Sequence, residues 1–379
     1  MRLLPRQITS RASFVRPYKN VAKPLNILFF GSDQFSVHSL NALYKLREKC
    51  PRLIDQIQVV TRSAKKCGRN LSLTKEVPIA NCSRALNLAP VIECDSKQDM
   101  LGPVMNAMQA NGYNMIIAVS FGRLIPKQLL SKSKFTLNVH PSLLPRYKGS
   151  SPIQYTLLNN DTATGVSIQT LHPEKFDCGK IVAQTEPVEV KTLLSEQTIV
   201  SSTQDSHAPP KVAKLMDTLG ERGAQLLAKV IETGAFDAEK TVSSPYAESF
   251  APKITTQMRQ LLWETDPAQL AIRKLDALGS VYAFKAVSHK SGPQQLKRII
   301  FHKLSPYEDG EAVPETLGPE PGSFEHDGLH KCMALRFQHG EALRCTLIQF
   351  EGFKIESPEQ FSKSIRKRCG KLTRNSIFV

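Results

Sequence analysis

The run Asn26-Ile27-Leu28-Phe29-Phe30-Gly31, followed by Val37, Leu40, Leu43 and Leu46 at helical spacing, constrains this chain more than any other local pattern. A short apolar run closed by glycine predicts a buried strand, and the spacing after it predicts a helix. Similar runs return at Ile57-Gln58-Val59-Val60, at 115–119 and at 135–140. Buried strands alternating with helical or loop material predict an α/β fold with a mostly parallel, doubly wound, Rossmann-like sheet. Such sheets bind ligands at the carboxyl ends of their strands, which directs attention to the polar residues closing the run 135–140.

Further along, Pro209-Pro210 introduces Val212, Leu215, Met216, Leu219, Leu226, Leu227, Val230 and Ile231 at helical spacing. These are read as two helices meeting near Gly220, closing a first domain of residues 25–232. Residues 233–250 have turn formers and little periodicity, as a linker does. Strand-like runs at 282–287, 295–304, 330–337 and 342–350 then predict a smaller β-rich domain over 251–379.

With 379 residues the chain can build two cores, and no stretch reaches the roughly 20 apolar residues of a membrane helix. No membrane association is expected, and a monomer is. The formal charge of +16 favours a polyanionic partner such as nucleic acid. Residues 251–379 hold 19 Lys or Arg and 14 Asp or Glu, and seven of those acids fall within 308–327, so the rest of this domain can present a basic face. The eight cysteines form neither a C-x-x-C pair nor a compact cluster, which points to free thiols and no metal. Residues 1–24 carry Arg2, Arg6, Arg11, Arg16, Lys19 and Lys23 without an acid, the composition of a mitochondrial transit peptide or of a basic arm.

The stretch richest in chemistry is Asn138-Val139-His140-Pro141-Ser142-Leu143-Leu144-Pro145-Arg146-Tyr147-Lys148-Gly149, with Asp177-Cys178-Gly179-Lys180-Ile181 following later. Asn138 and His140 lie two apart on a strand and so share a face. An amide, an imidazole and a carboxylate can serve acyl transfer through a tetrahedral intermediate, and no nucleophilic Ser or Cys is needed when the substrate brings its own amine. Taken singly, His140 could equally cap a strand and Asp177 pair with a neighbouring base.

Taken together, N-x-H-x-S-L-L-P-x-x-x-G and the later D-x-G-x-I resemble the folate-dependent formyltransferases. Phe30-Gly31-Ser32-Asp33-Gln34-Phe35, the stretch from Ala118 to Pro126, and Gly149 to Gln154 extend the resemblance over most of 25–232. It implies that Asn138 donates to the formyl oxygen, that His140 stabilises the tetrahedral intermediate and handles protons, and that Asp177 orients His140. It also implies a folate cleft bordered by Val119, Ser120, Phe121, Gly122 and Leu124 on one side and by Ser142, Leu143, Leu144 and Pro145 on the other. The turn after Gly31 lacks G-x-G-x-x-G, so no nucleotide cofactor is expected. Two positions depart from the family pattern: Lys175 stands where glycine is common and Tyr147 where tryptophan is frequent.

The C-terminal region resembles the OB-like β-barrel of the family branch that acts on tRNA, which implies 10-formyltetrahydrofolate as formyl donor, tetrahydrofolate as product and initiator methionyl-tRNA as acceptor in the mitochondrial matrix. In that branch a basic loop enters the acceptor stem. Arg62, Lys65, Lys66 and Arg69 occupy this place, with Arg146, Lys367 and Arg368 as further tRNA contacts. A solvated basic surface is the plainer reading of the loop. The competing functions are formyl transfer to a sugar or other small amine, and a non-catalytic RNA-binding protein that kept the fold.

Overall fold

The computed structural model describes residues 23–67, 70, 72–197, 208–237, 241–288, 293–370 and 376–379. The basic segment 1–22, Arg69, most of the Ser/Thr-rich stretch near 200 and the tail around Lys371 and Arg374 lie outside the described residues. Contacts divide the chain into two compact units. The first comprises the chain up to His140, Val166–Thr185 and Gly220–Pro245, and the second Pro141–Gly165, Glu186–Leu219 and Tyr246–Val379.

The first unit is built on seven strands: β1 (Leu25–Gly31), β2 (Ile54–Thr61), β3 (Ile92–Glu93), β4 (Met115–Val119), β5 (Phe135–His140), β6 (Ser167–Gln169) and β7 (Ile181–Gln184). Their spatial order is β7-β6-β5-β4-β1-β2-β3. The pairs among β1 to β5 are parallel, whereas β6 and β7 run antiparallel to their neighbours. From β1 the chain moves to β2 and β3 on one side and returns to β4 on the other, so β1 and β4 flank a topological switch point. Ligand crevices form at such points.

Leu28, Phe30, Val60 and Ile116 are fully buried in one core cluster, which also takes in Phe121 beyond the end of β4. Helix α1 (Gln34–Lys49) follows β1 and is capped by Asp33, whose carboxylate accepts from the Ser36 amide at 3.2 Å. Sequestering this apolar surface is the main favourable term in holding the sheet together.

Residues 210–233 form one continuous helix, α2, and not two helices meeting near Gly220. Glycine reads as a helix break because its backbone is permissive. Here it is a packing residue: a Cβ at Gly220 would lie 2.5 Å from the ring Cδ2 of His38 on α1. Close approach of the two helices explains the glycine and leaves the helical hydrogen bonding intact.

The second unit contains a curled, antiparallel, OB-like sheet of β8 (Val281–Val287), β9 (Gln295–Pro306), β10 (Phe324–Asp327), β11 (Cys332–Arg336), β12 (Ala342–Phe350) and β13 (Ile355–Glu356). The order is β8-β9-β12-β11-β10, with β13 paired to β12. Strand β10 falls wholly within the acid-rich stretch 308–327, where the sequence showed no apolar run. Helices α3 (Ala268–Leu278) and α4 (Pro358–Cys369) supply Ala271, Phe361 and Ile365 to the core around Trp263, Phe301 and Phe378. Ser357 and Gln360 form a reciprocal capping box at the start of α4, with Pro358 in its first turn.

Candidate active site

Period-two geometry places Asn138 and His140 on one face of β5, and the antiparallel partner β6 sets Gln169 opposite Asn138 and Ser167 opposite His140. Asp177 comes to the same face from the connection between β6 and β7, with its backbone in the left-handed region at φ 53°. Gly179 makes this possible. A Cβ there would lie 1.7 Å from the Thr170 carbonyl oxygen, so D-x-G is a requirement of close backbone approach.

One carboxylate oxygen gathers the site. Oδ1 of Asp177 lies 3.3 Å from Asn138 Nδ2, 3.3 Å from His140 Nδ1 and 2.9 Å from Gln169 Nε2. The side chains of His140 and Asp177 are only 6% and 9% exposed, so their contact is sheltered from water. With Nδ1 directed at the carboxylate, the neutral imidazole carries its proton there and offers Nε2 as acceptor. The amide of Asn138 has two N–H donors and commits one to Asp177. The sequence reading omitted Gln169. Its signal was a polar side chain in the apolar alternation of Val166-Ser167-Ile168-Gln169, 1% exposed in the fold, with Oε1 accepting from the Gly179 amide at 3.2 Å.

At the switch point, Ser120 has φ 50° and Gly122 φ 75°, and the Ser120 side chain bonds to Asp33. Burial raises the Asp33 carboxyl from 3.8 to about 6, against the hydrogen bond from Ser36 and the nearby Arg62 charge, which lower it. Val119 and Phe121 are buried, the latter ring edge-on to Phe30 at 5.1 Å, so these two can offer a ligand chiefly their backbone. Gly122 and Leu124 line a cleft of about 500 Å³ in this unit, together with Met100, Pro126, Pro173 and Phe176. Phe176 directly precedes Asp177 in the chain.

Of the other expected folate residues, Ser142, Leu143 and Leu144 are buried in the turn that continues the chain from His140. Ser142 Oγ donates to the Arg146 carbonyl at 2.6 Å, and the Pro145 carbonyl accepts from the Ser249 amide at 3.2 Å. Tyr147, at φ 60°, donates its hydroxyl to Asp161 at 2.7 Å and accepts from Asn159 at 2.8 Å.

The expected tRNA residues separate into two groups. Lys65 and Lys66 are exposed on a hairpin in which Lys65–Cys67 pairs with Leu73–Lys75, and Lys367 is exposed on α4. The remaining described three are engaged within the protein. Arg62, half-buried, donates through Nε to Ser32 Oγ at 3.5 Å, and its charge acts on the Asp33 carboxyl. Arg146 pairs with Asp161. Arg368 forms a two-pronged pair with Glu356, its second contact at 3.0 Å, and lies 4.1 Å over the Phe353 ring. Opposite charge and an aromatic face near to hand outcompete exposure to water for these guanidinium groups. Among the described residues no group of three or more His, Cys, Asp or Glu is arranged to hold a metal ion.

The family model described as formyl transferase matches residues 25–210, the stretch that carries most of the Rossmann-like sheet and the Asn138, His140 and Asp177 cluster. The sugar 3N-formyltransferase WlaRD, solved in the presence of dTDP and 5-N-formyl-THF, shares the fold with a TM-score of 0.50 at 15% identity, over 87% of this chain and 99% of its own. The mitochondrial methionyl-tRNA formyltransferase of Saccharomyces cerevisiae is 43% identical over 94% of this chain and 93% of its own length. The human mitochondrial enzyme is 30% identical over 68% of this chain, which spans 58% of that protein. This chain belongs to the methionyl-tRNA formyltransferase family.

Proposed function

We propose that the protein transfers the formyl group of 10-formyltetrahydrofolate to the α-amino group of methionyl-initiator tRNA. The observation that carries this reading is the buried Asp177 oxygen shared by Asn138 and His140, each at 3.3 Å, in a chain of this family.

Reaction requires a bond from the amine nitrogen to the formyl carbon, cleavage of the bond from that carbon to N10 of the folate, and net movement of one proton from the amine to N10. The Asn138 amide can direct an N–H toward the oxygen that becomes negative in the tetrahedral species. His140, oriented through Nδ1 by Asp177, can take the amine proton at Nε2 and return it to the departing nitrogen. Asp177 stabilises the imidazolium that exists between those two transfers. The cleft lined by Leu124, Pro126 and Phe176 offers apolar walls to the flat rings of the folate, and the backbone of 119–122 offers polar groups for its pterin.

Residues 25–232 serve as the catalytic region and 251–379 as a tRNA-binding one, with exposed Lys65, Lys66 and Lys367 supplying phosphate contacts. The protein works as a monomer in the mitochondrial matrix. The yeast and human relatives named mitochondrial support that placement, as does the acid-free basic composition of residues 1–24.

The test is release of tetrahydrofolate with methionyl-initiator tRNA, uncharged tRNA and glycinamide ribonucleotide as alternative acceptors, with mass spectrometry of the product. Formyl-methionyl-tRNA forms and the other two acceptors stay inert. Turnover with glycinamide ribonucleotide, or none with charged tRNA, would overturn the assignment.

A further inference from the structure

The segment that leads into the C-terminal region is more than a tether. Residues 248–251 run parallel to the turn that follows His140, with a bridge between Lys148 and Phe250. The Ser249 amide donates to the Pro145 carbonyl at 3.2 Å, and the Ser249 carbonyl accepts from the Lys148 amide at 2.8 Å. Ala251 donates to the Lys148 carbonyl at 2.7 Å and accepts from the Ser151 amide at 3.1 Å. Lys148 Nζ also meets Glu248 at 2.7 Å. A flexible linker keeps its chain entropy by forming no such ladder.

Two positions of the turn depend on this segment. Tyr147 has φ 60°, a left-handed conformation that is uncommon for a bulky residue. Its hydroxyl is held by Asp161 and Asn159, and its amide donates to Ser249 Oγ at 3.0 Å. Gly149, at φ 122°, passes so close that a Cβ there would lie 2.7 Å from the Ala251 carbonyl oxygen. Backbone of this kind persists only where its surroundings fix it, and here Ser249 and Ala251 belong to those surroundings. We infer that residues 248–251 form a strap that positions the turn 142–149, with Ser249 as a positioning residue for the formyl donor. Ser142, Leu143, Leu144 and Pro145 of this turn were read above as one border of the folate cleft, so the inference rests on that folate reading. Ser249 acts through Tyr147 and Pro145 and not on the reacting atoms. Loss of its hydroxyl removes one of the bonds that hold Tyr147, so the turn spends less time in the arrangement that receives the donor, and the apparent affinity falls by that fraction.

The experiment measures kcat and the KM values for 10-formyltetrahydrofolate and for methionyl-initiator tRNA in the full-length wild type, in Ser249→Ala and in Ser249→Thr. Ser249→Ala raises KM for the folate by about three- to tenfold, the worth of one hydrogen bond. Its kcat and its KM for the tRNA stay near the wild-type values, and Ser249→Thr, which keeps the hydroxyl, restores the folate KM. An unchanged folate KM in Ser249→Ala, an equal rise for both substrates, or failure of Ser249→Thr to restore it would overturn the strap. Absence of any transfer by the wild type would instead overturn the folate reading on which the strap depends.

Discussion

Gln169 donates through Nε2 to the same Asp177 oxygen that faces His140, at 2.9 Å, and accepts from the Gly179 amide through its own carbonyl oxygen. One buried amide therefore fixes both the carboxylate proposed to orient His140 and the glycine turn that delivers it. Gln169→Leu removes the donor and leaves Asp177 short of one bond. Its expected effect is a fall in kcat of about 10- to 100-fold, typical for a residue that orients a catalytic group. The pH profile of kcat shifts with it, while the KM for methionyl-tRNA moves little. An unaltered pH profile would reduce Gln169 to a packing role.

His140→Ala and Asp177→Asn each lower turnover by about 100-fold or more, since they remove a proton carrier or its orienting charge. Binding of charged tRNA, measured separately by filter retention, stays near that of the unaltered protein. Near-normal turnover in either folded variant would contradict the site.

Asp33 gives a pH-dependent stability. Its carboxyl is raised to about 6 by burial, above the ordinary 3.8, so the folded state binds a proton that the unfolded state has already released. The contribution is fully present below about pH 3.8 and is lost as pH rises through about 6. Asparagine is also a good helix cap and carries no charge. Asp33→Asn therefore stabilises the protein by about 1–2 kcal/mol at pH 7.5, a value discounted from the full shift for partial exposure, and changes little at pH 4. Urea melts at the two pH values separate these outcomes, and equal changes at both would exclude the titration.

Lys367 and Arg368 are neighbours on α4 with different expected roles. Lys367→Ala weakens tRNA binding and reduces the salt slope by about one phosphate contact, with the melting temperature unchanged. Arg368→Ala leaves Glu356 without its partner in a poorly exposed place and costs about 1–3 kcal/mol of stability. Parallel melting curves and salt titrations decide between them.

The hairpin is tested by Lys65→Ala/Lys66→Ala. If these residues enter the acceptor end, kcat/KM falls more for initiator than for elongator methionyl-tRNA. Equal losses on both would make the hairpin a solvated basic surface.

The sequence by itself determined β1 and β4, because a strand buried on both faces is written as a near-continuous apolar run, and also β2 and β5, whose apolar residues are interleaved with polar ones. It also placed Asn138 and His140 on one face, since side chains alternate along a strand whatever surrounds it. The capping box of Ser357 and Gln360 was equally local, and α4 could have been read from it. Tertiary structure decided the rest, because it depends on what distant segments bring together. Glycine at 220 reads locally as a helix break, but the ring of His38 on another helix makes it a close-packing site within one helix. Arg368 looked like a free cation until Glu356 was beside it. Gln169 acquired a partner eight residues away only when the turn through Gly179 folded Asp177 back onto β6 and β5. Short-range periodicity records burial, whereas the choice of hydrogen-bond and charge partners is made by the fold.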